Sequence, residues 1–129
     1  MKGVLISIRK PHTDNIKALI KTIEVRKTKP RIERPFPAFI YEPKANGGCG
    51  KVIGEFVCRG MMNGGSPLLP KQSCLTLEEI LEYSQGKPIY GWRIADLKIY
   101  EAPKELREFY KPIKYDNACG DIGGGRILP

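Results

Sequence analysis

The sequence predicts an α+β fold, a small and mostly antiparallel β-barrel with two or three short helices. Three observations carry that expectation. The chain has 129 residues, which suits one domain with a single core. Segments with strand-like alternation outnumber segments with helical spacing, and both kinds are short. Strands and helices do not alternate strictly, which argues against a doubly wound parallel sheet. No internal repeat is visible.

Taken in order, Val4 to Ile8 is apolar and β-branched and reads as a first strand that Pro11 ends. Thr13 or Asp14 can cap a short helix through about Ile20, with Ile16, Leu19, Ile20 and Ile23 at near-helical spacing. Thr22 to Lys27 then alternates, with Ile23 and Val25 on one face and Thr22, Glu24 and Arg26 on the other. Pro30, Pro35 and Pro37 interrupt a basic loop before a short strand at Phe39-Ile40-Tyr41. Ala45 to Gly50 is a glycine-rich turn, and Lys51 to Cys58 is a strand in which Gly54 marks a bulge or a close backbone approach. Gly60 to Ser73 reads as loop, with Met61, Met62, Leu68 and Leu69 packing on the core. Thr76-Leu77-Glu78-Glu79 is a capping box opening a helix that ends near Gly86. Ile89 to Tyr100 is the longest strand-like run, and Pro103 to Tyr110 suits a final helical turn or two. The domain is expected over residues 1–112, with 113–129 a polar, glycine-rich and mobile tail.

Composition narrows the function classes. With 41% hydrophobic and 28% charged residues, the chain reads as a soluble globular protein. It has no run of 18 apolar residues that would span a membrane, and the apolar part of its first residues is too short for a signal peptide. A cytoplasmic location and no membrane partner are expected. The net charge of +8 favours polyanionic partners, RNA or a nucleotide among them. Cys49, Cys58, Cys74 and Cys119 lack metal-site spacing, and His12 is the only histidine, so reduced thiols and no metal are expected. Gly47-Gly48-Cys49-Gly50-Lys51 fails as a phosphate loop, because Ala45 stands at the first required Gly and Val52 follows the Lys. Gly123-Gly124-Gly125 opens no helix and is no dinucleotide fingerprint. No cofactor is expected.

The candidate site is Lys21, Glu24 and Arg26. Residues two apart on a strand share a face about 6.5–7 Å apart. Glu24 and Arg26 can therefore pair as a solvent-facing ion pair, or jointly hold a polar ligand. A carboxylate accepts from amino groups such as that of cytosine, and a guanidinium donates to carbonyls and phosphates. Catalysis by Lys21 and Glu24 is open as well, since a desolvated lysine or carboxylate can serve as nucleophile or base. The segment from Arg26 to Arg34, with Lys27, Lys29 and Arg31, has five cations against Glu33 and is the best candidate for phosphate contacts. Trp92 beside Arg93 reads either as a stacking platform for a base or as the largest core residue, and Arg93 is expected to join Lys27, Lys29 and Arg31 in attracting phosphate. His12 reads as a cap or surface residue, and Tyr41 and Tyr90 as packing.

These motifs resemble a known family. Ser7-Ile8, Pro11, a short helix and then Lys21-x-x-Glu24-x-Arg26 resemble the ASCH family of PUA-like β-barrel domains. Its hallmark is Gly-x-Lys-x-x-Glu-x-Arg after a first helix, and Leu19 stands here at the Gly position. Val52-Ile53-Gly54-Glu55-Phe56 is similar to the family's Gly-Glu-Phe strand. Tyr90 to Tyr100, followed by Pro103-Lys104-Glu105-Leu106, resembles a phage and Firmicute branch of small ASCH proteins, which usually has His at the place of Arg93. The resemblance covers roughly residues 3–112. It implies a five- or six-stranded barrel whose cleft, beside the first helix, is lined by Lys21, Glu24 and Arg26.

PUA-like relatives bind RNA or modified nucleobases. One ASCH branch resembles amidohydrolases that remove an acyl group from N4-acetylcytidine, with Lys-x-x-Thr at this place and a separate later Glu. Lys21 matches their lysine, while Glu24 stands where their threonine is. The expected function is therefore RNA or nucleotide binding. The alternatives are a small hydrolase of amidohydrolase or ribonuclease type acting on a nucleoside or RNA, and a protein-interaction module with an apolar patch around Met61-Met62 and Leu68-Leu69.

Overall fold

The structure, a computed structural model, describes residues 3–109 and 126–128. Among the described residues, eight strands form two sheets. The first five in sequence are β1 (Gly3–Ser7), β2 (Ile23–Arg26), β3 (Phe36–Glu42), β4 (Lys51–Cys58) and β5 (Met61–Asn63). They are followed by β6 (Tyr90–Arg93), β7 (Ala95–Lys104) and β8 (Arg126–Leu128). The larger sheet has the order β7-β4-β3-β1-β8 and the smaller β2-β6-β5. The helices are α1 (His12–Lys17), α2 (Leu69–Ser73) and α3 (Leu77–Ser84).

The α+β class and the antiparallel bias stand, since β1 pairs β3 in parallel and the other ladders are antiparallel. The expected closed barrel does not form among the described residues, which build two separate sheets. Bulges bend β4 against both neighbours, between Ile40 and Tyr41 on β3 and on either side of Gly54 and Glu55. Gly54 is there because a Cβ would lie 2.5 Å from the Lys98 carbonyl oxygen of β7.

Alternation along each strand divides the interior. Val4, Ile6, Phe36, Ala38, Ile40, Phe56 and Trp92 form the main core with Ile16 of α1. Ile23 and Val25 of β2 pack instead with Met62, Leu69, Ile80 and Ile89, under α2 and α3. The opposite face of β2 is thus left for Glu24 and Arg26, and both are buried. The capping box of α3 is present in both directions, Glu79 N–H donating to Thr76 Oγ1 at 3.1 Å and Thr76 N–H to Glu79 Oε1 at 2.9 Å.

Several local expectations are corrected. α1 stops at Lys17, and Leu19 and Ile20 are exposed rather than core, because Leu19 turns the chain in a left-handed conformation at φ 62°. Thr13 does not cap the helix; its hydroxyl donates to buried Glu42 at 2.5 Å and ties α1 to β3. The stretch read as loop at 60–73 contains β5 and α2, with Met62 and Leu69 buried and Leu68 exposed. The apolar patch expected there is therefore split between core and surface. The run at 89–100 breaks at Ile94 into β6 and β7, and β7 continues through Pro103 to Lys104. Of the expected tail, 113–125, 129 and with them Cys119 lie outside the described residues, while Arg126–Leu128 pair with β1.

Because Gly54 meets backbone rather than a flexible side chain, Gly54→Ala must push β7 off β4. The expected cost is about 1–3 kcal/mol, read as a lower urea midpoint at unchanged slope.

Candidate functional site

β2 is an edge strand of its sheet and delivers Glu24 and Arg26 side by side toward the end of β1. The carboxylate Oε2 of Glu24 accepts from Arg26 at 3.0 Å, and Oε1 lies 3.4 Å from the Lys21 ammonium. Lys21 Nζ also donates to the Ser73 carbonyl at 2.5 Å. Ser73 is the last residue of α2, and the carbonyls of a helix's last turn welcome a cation. An Arg26 guanidinium nitrogen donates to the Ser7 carbonyl at the end of β1. The side chains of Lys21, Glu24 and Arg26 are 1%, 9% and 11% exposed, so the plain reading of a solvated surface pair does not apply.

This triad borders a cleft of about 480 Å³, to which His12, Glu79 and Tyr83 contribute beside Arg9, Ser7 and Leu75. His12, expected as a cap or surface residue, directs a buried Nδ1 that has no hydrogen-bond partner among the described residues. Burial, followed by the nearby Lys21 ammonium, holds its ring below the usual histidine range, so the imidazole is neutral near pH 7. Glu79, at the third position of α3, is held below the usual carboxylate range by the Thr76 N–H. Tyr83 stands one turn further on, half-buried, with the Lys27 ammonium 4.7 Å from its ring centroid. Burial raises its phenol. The signal for these two was present in the sequence, since the capping box fixes Glu79 and an (i, i+4) step puts Tyr83 on its face.

The remaining predicted residues divide. Lys29 lines a second cavity of about 240 Å³ with Ile32, Glu33, Arg34, Phe36 and Met61, and Arg31 is exposed on the same loop. Trp92 is fully buried, meets Phe36 edge-on at 5.8 Å, and donates from Nε1 to the Thr28 carbonyl at 3.2 Å. It is a core residue that pins the basic loop, and no platform for a base. Arg93 is exposed and pairs with Ile23, which puts it on the face of β2–β6 opposite Glu24. Tyr41 and Tyr90 are half-buried against the core clusters. Among the described residues, no cluster of His, Cys, Asp or Glu could hold a metal ion, and no helix is long and apolar enough to cross a membrane.

Two measurements check this account. Glu24→Gln leaves two buried cations facing a neutral amide and should cost about 3 kcal/mol or more, whereas Asp14→Ala in the exposed Lys10–Asp14 pair should leave the urea midpoint nearly unchanged. The lowered His12 means that the unfolded chain binds a proton first on acidification. Stability should therefore fall as pH drops below about 6.5, and this part of the fall should vanish in His12→Gln.

No family model matches the sequence, and no curated protein matches it significantly. Solved structures do match. The ASCH protein of Zymomonas mobilis superposes with a TM-score of 0.71 at 16% identity, over 98% of this chain and 85% of that one. A serine-to-alanine mutant of that protein gives 0.70 at 16% identity, over 98% and 86%. A tyrosine-to-phenylalanine mutant gives 0.70 at 17% identity, over 99% and 89%. At this identity the likeness concerns three-dimensional structure, and in those terms the chain has the fold of an ASCH domain.

Proposed function

We propose that the protein binds RNA or a nucleotide, with one base in the cleft beside α1 and the phosphates on the basic loop. The observation that carries this reading is the buried Lys21–Glu24–Arg26 triad bordering a cleft that His12, Glu79 and Tyr83 also line. Both oxygens of Glu24 are engaged by cations, which makes the triad a fixed electrostatic wall rather than a free acceptor. Base-edge recognition then falls to His12 and Glu79, and ring contact to Tyr83. Lys27, Lys29 and Arg31 attract the phosphates. The PUA-like character of the ASCH fold agrees with an RNA ligand.

A second reading is a small hydrolase, favoured by one observation: Lys21, Glu79 and the neutral His12 share the cleft. Glu79 supplies the later acid that the amidohydrolase resemblance calls for. Against it, Lys21 Nζ is held by the Ser73 carbonyl and lies 3.4 Å from the Glu24 carboxylate, so it is tied to the protein rather than directed at a substrate. Turnover of acylated cytidine or of RNA, abolished in His12→Ala, would favour the enzyme.

Fluorescence anisotropy with short labelled RNAs at about 50 mM salt tests the binding reading. Tyr83→Leu, which keeps apolar bulk and removes the ring, should weaken binding at least about fivefold. Neutralising Lys27, Lys29 and Arg31 together should lower the slope of log affinity against log salt by about 0.7 for each phosphate no longer neutralised. Absence of binding, or an unchanged affinity in Tyr83→Leu, would overturn it.

A further inference from the structure

We infer that the second cavity is a binding site for the base of a neighbouring nucleotide, so that the protein engages at least two adjacent bases of a single strand. The inference rests on the reading of the cleft given above and extends it to a separate place in the fold. The cavity, of about 240 Å³, is lined by the part of the basic loop that follows Lys27 and is too small for a large ligand. Its apolar walls are Ile32, Phe36 and Met61, and its cations are Lys29 and Arg34. An apolar wall flanked by exposed cations is the chemistry that takes a base ring on one side and its phosphate on the other.

The loop is held in register for this. Trp92 Nε1 donates to the Thr28 carbonyl at 3.2 Å, and the same indole packs edge-on against Phe36, the floor of the cavity. Thr28 separates Lys27, whose ammonium lies over the Tyr83 ring of the cleft, from Lys29, which lines the cavity. The Cα atoms of Lys27 and Lys29 are at most about 7 Å apart, so one phosphodiester can lie against both. Glu33 adds a carboxylate acceptor to the cavity wall and selects for a base with an exocyclic amino group over uracil.

The test compares a dinucleotide with its two singly abasic analogues, which keep the phosphodiester and lose one base each. Each loss should weaken binding at least about fivefold. Ile32→Ser and Met61→Glu should each bring the dinucleotide down to the level of one abasic analogue while mononucleotide affinity stays unchanged. Lys98→Glu, an exposed charge reversal on β7, should leave the dinucleotide unaffected. An abasic analogue that binds as tightly as the full dinucleotide, or Ile32→Ser and Met61→Glu both retaining full affinity, would overturn the second site alone. If mononucleotide and dinucleotide both fail to bind, the cleft reading falls with it.

Discussion

A carboxylate held between two cations, with little water to screen them, is the constraint on which the rest of this molecule depends. Desolvating Lys21, Glu24 and Arg26 is costly, and each compensating contact reaches a different element. Arg26 reaches the end of β1 in the larger sheet, and Lys21 reaches the end of α2. Among the described residues the two sheets share no strand ladder, so these polar contacts, with the packing of Trp92, register one sheet against the other. Moving any of the three side chains would remove at least one of these contacts from a buried charge, which fixes the shape of the cleft more tightly than apolar packing alone.

Much of this is legible in the sequence, for physical reasons. β4 shows its true ends because Lys51 and Cys58 are bounded by glycine-rich and basic turns. The α3 cap is legible because a capping box is a local, four-residue signal. The triad is legible because period-two alternation puts Glu24 and Arg26 on one face. Sequence does not say which side of that face meets water, since this depends on β1 and α2 arriving from elsewhere. The barrel fails for a similar reason: closure is a property of ladders between distant strands. Trp92 is ambiguous because an indole suits a core and a binding face equally well, and only its neighbours decide.

Leu19 shows how backbone and sequence can part company. It adopts the left-handed conformation that a glycine takes without strain, at a cost of about 1–2 kcal/mol, and its side chain is 71% exposed and recovers little by packing. The turn that leads to Lys21 forms although no glycine stands there. At 16–17% identity, the agreement with ASCH structures is one of shape.

The pairing of β2 has a consequence for the order in which the chain emerges during synthesis. Its ladder partner is β6, at Tyr90–Arg93, nearly seventy residues later. Until then the strand that carries Glu24 and Arg26 has no neighbour to hold its backbone, and its charges remain in water. The cleft draws its lining from Ser7 to Tyr83 and its β2 ladder from Tyr90–Arg93, so no amino-terminal half of this protein can hold the site by itself.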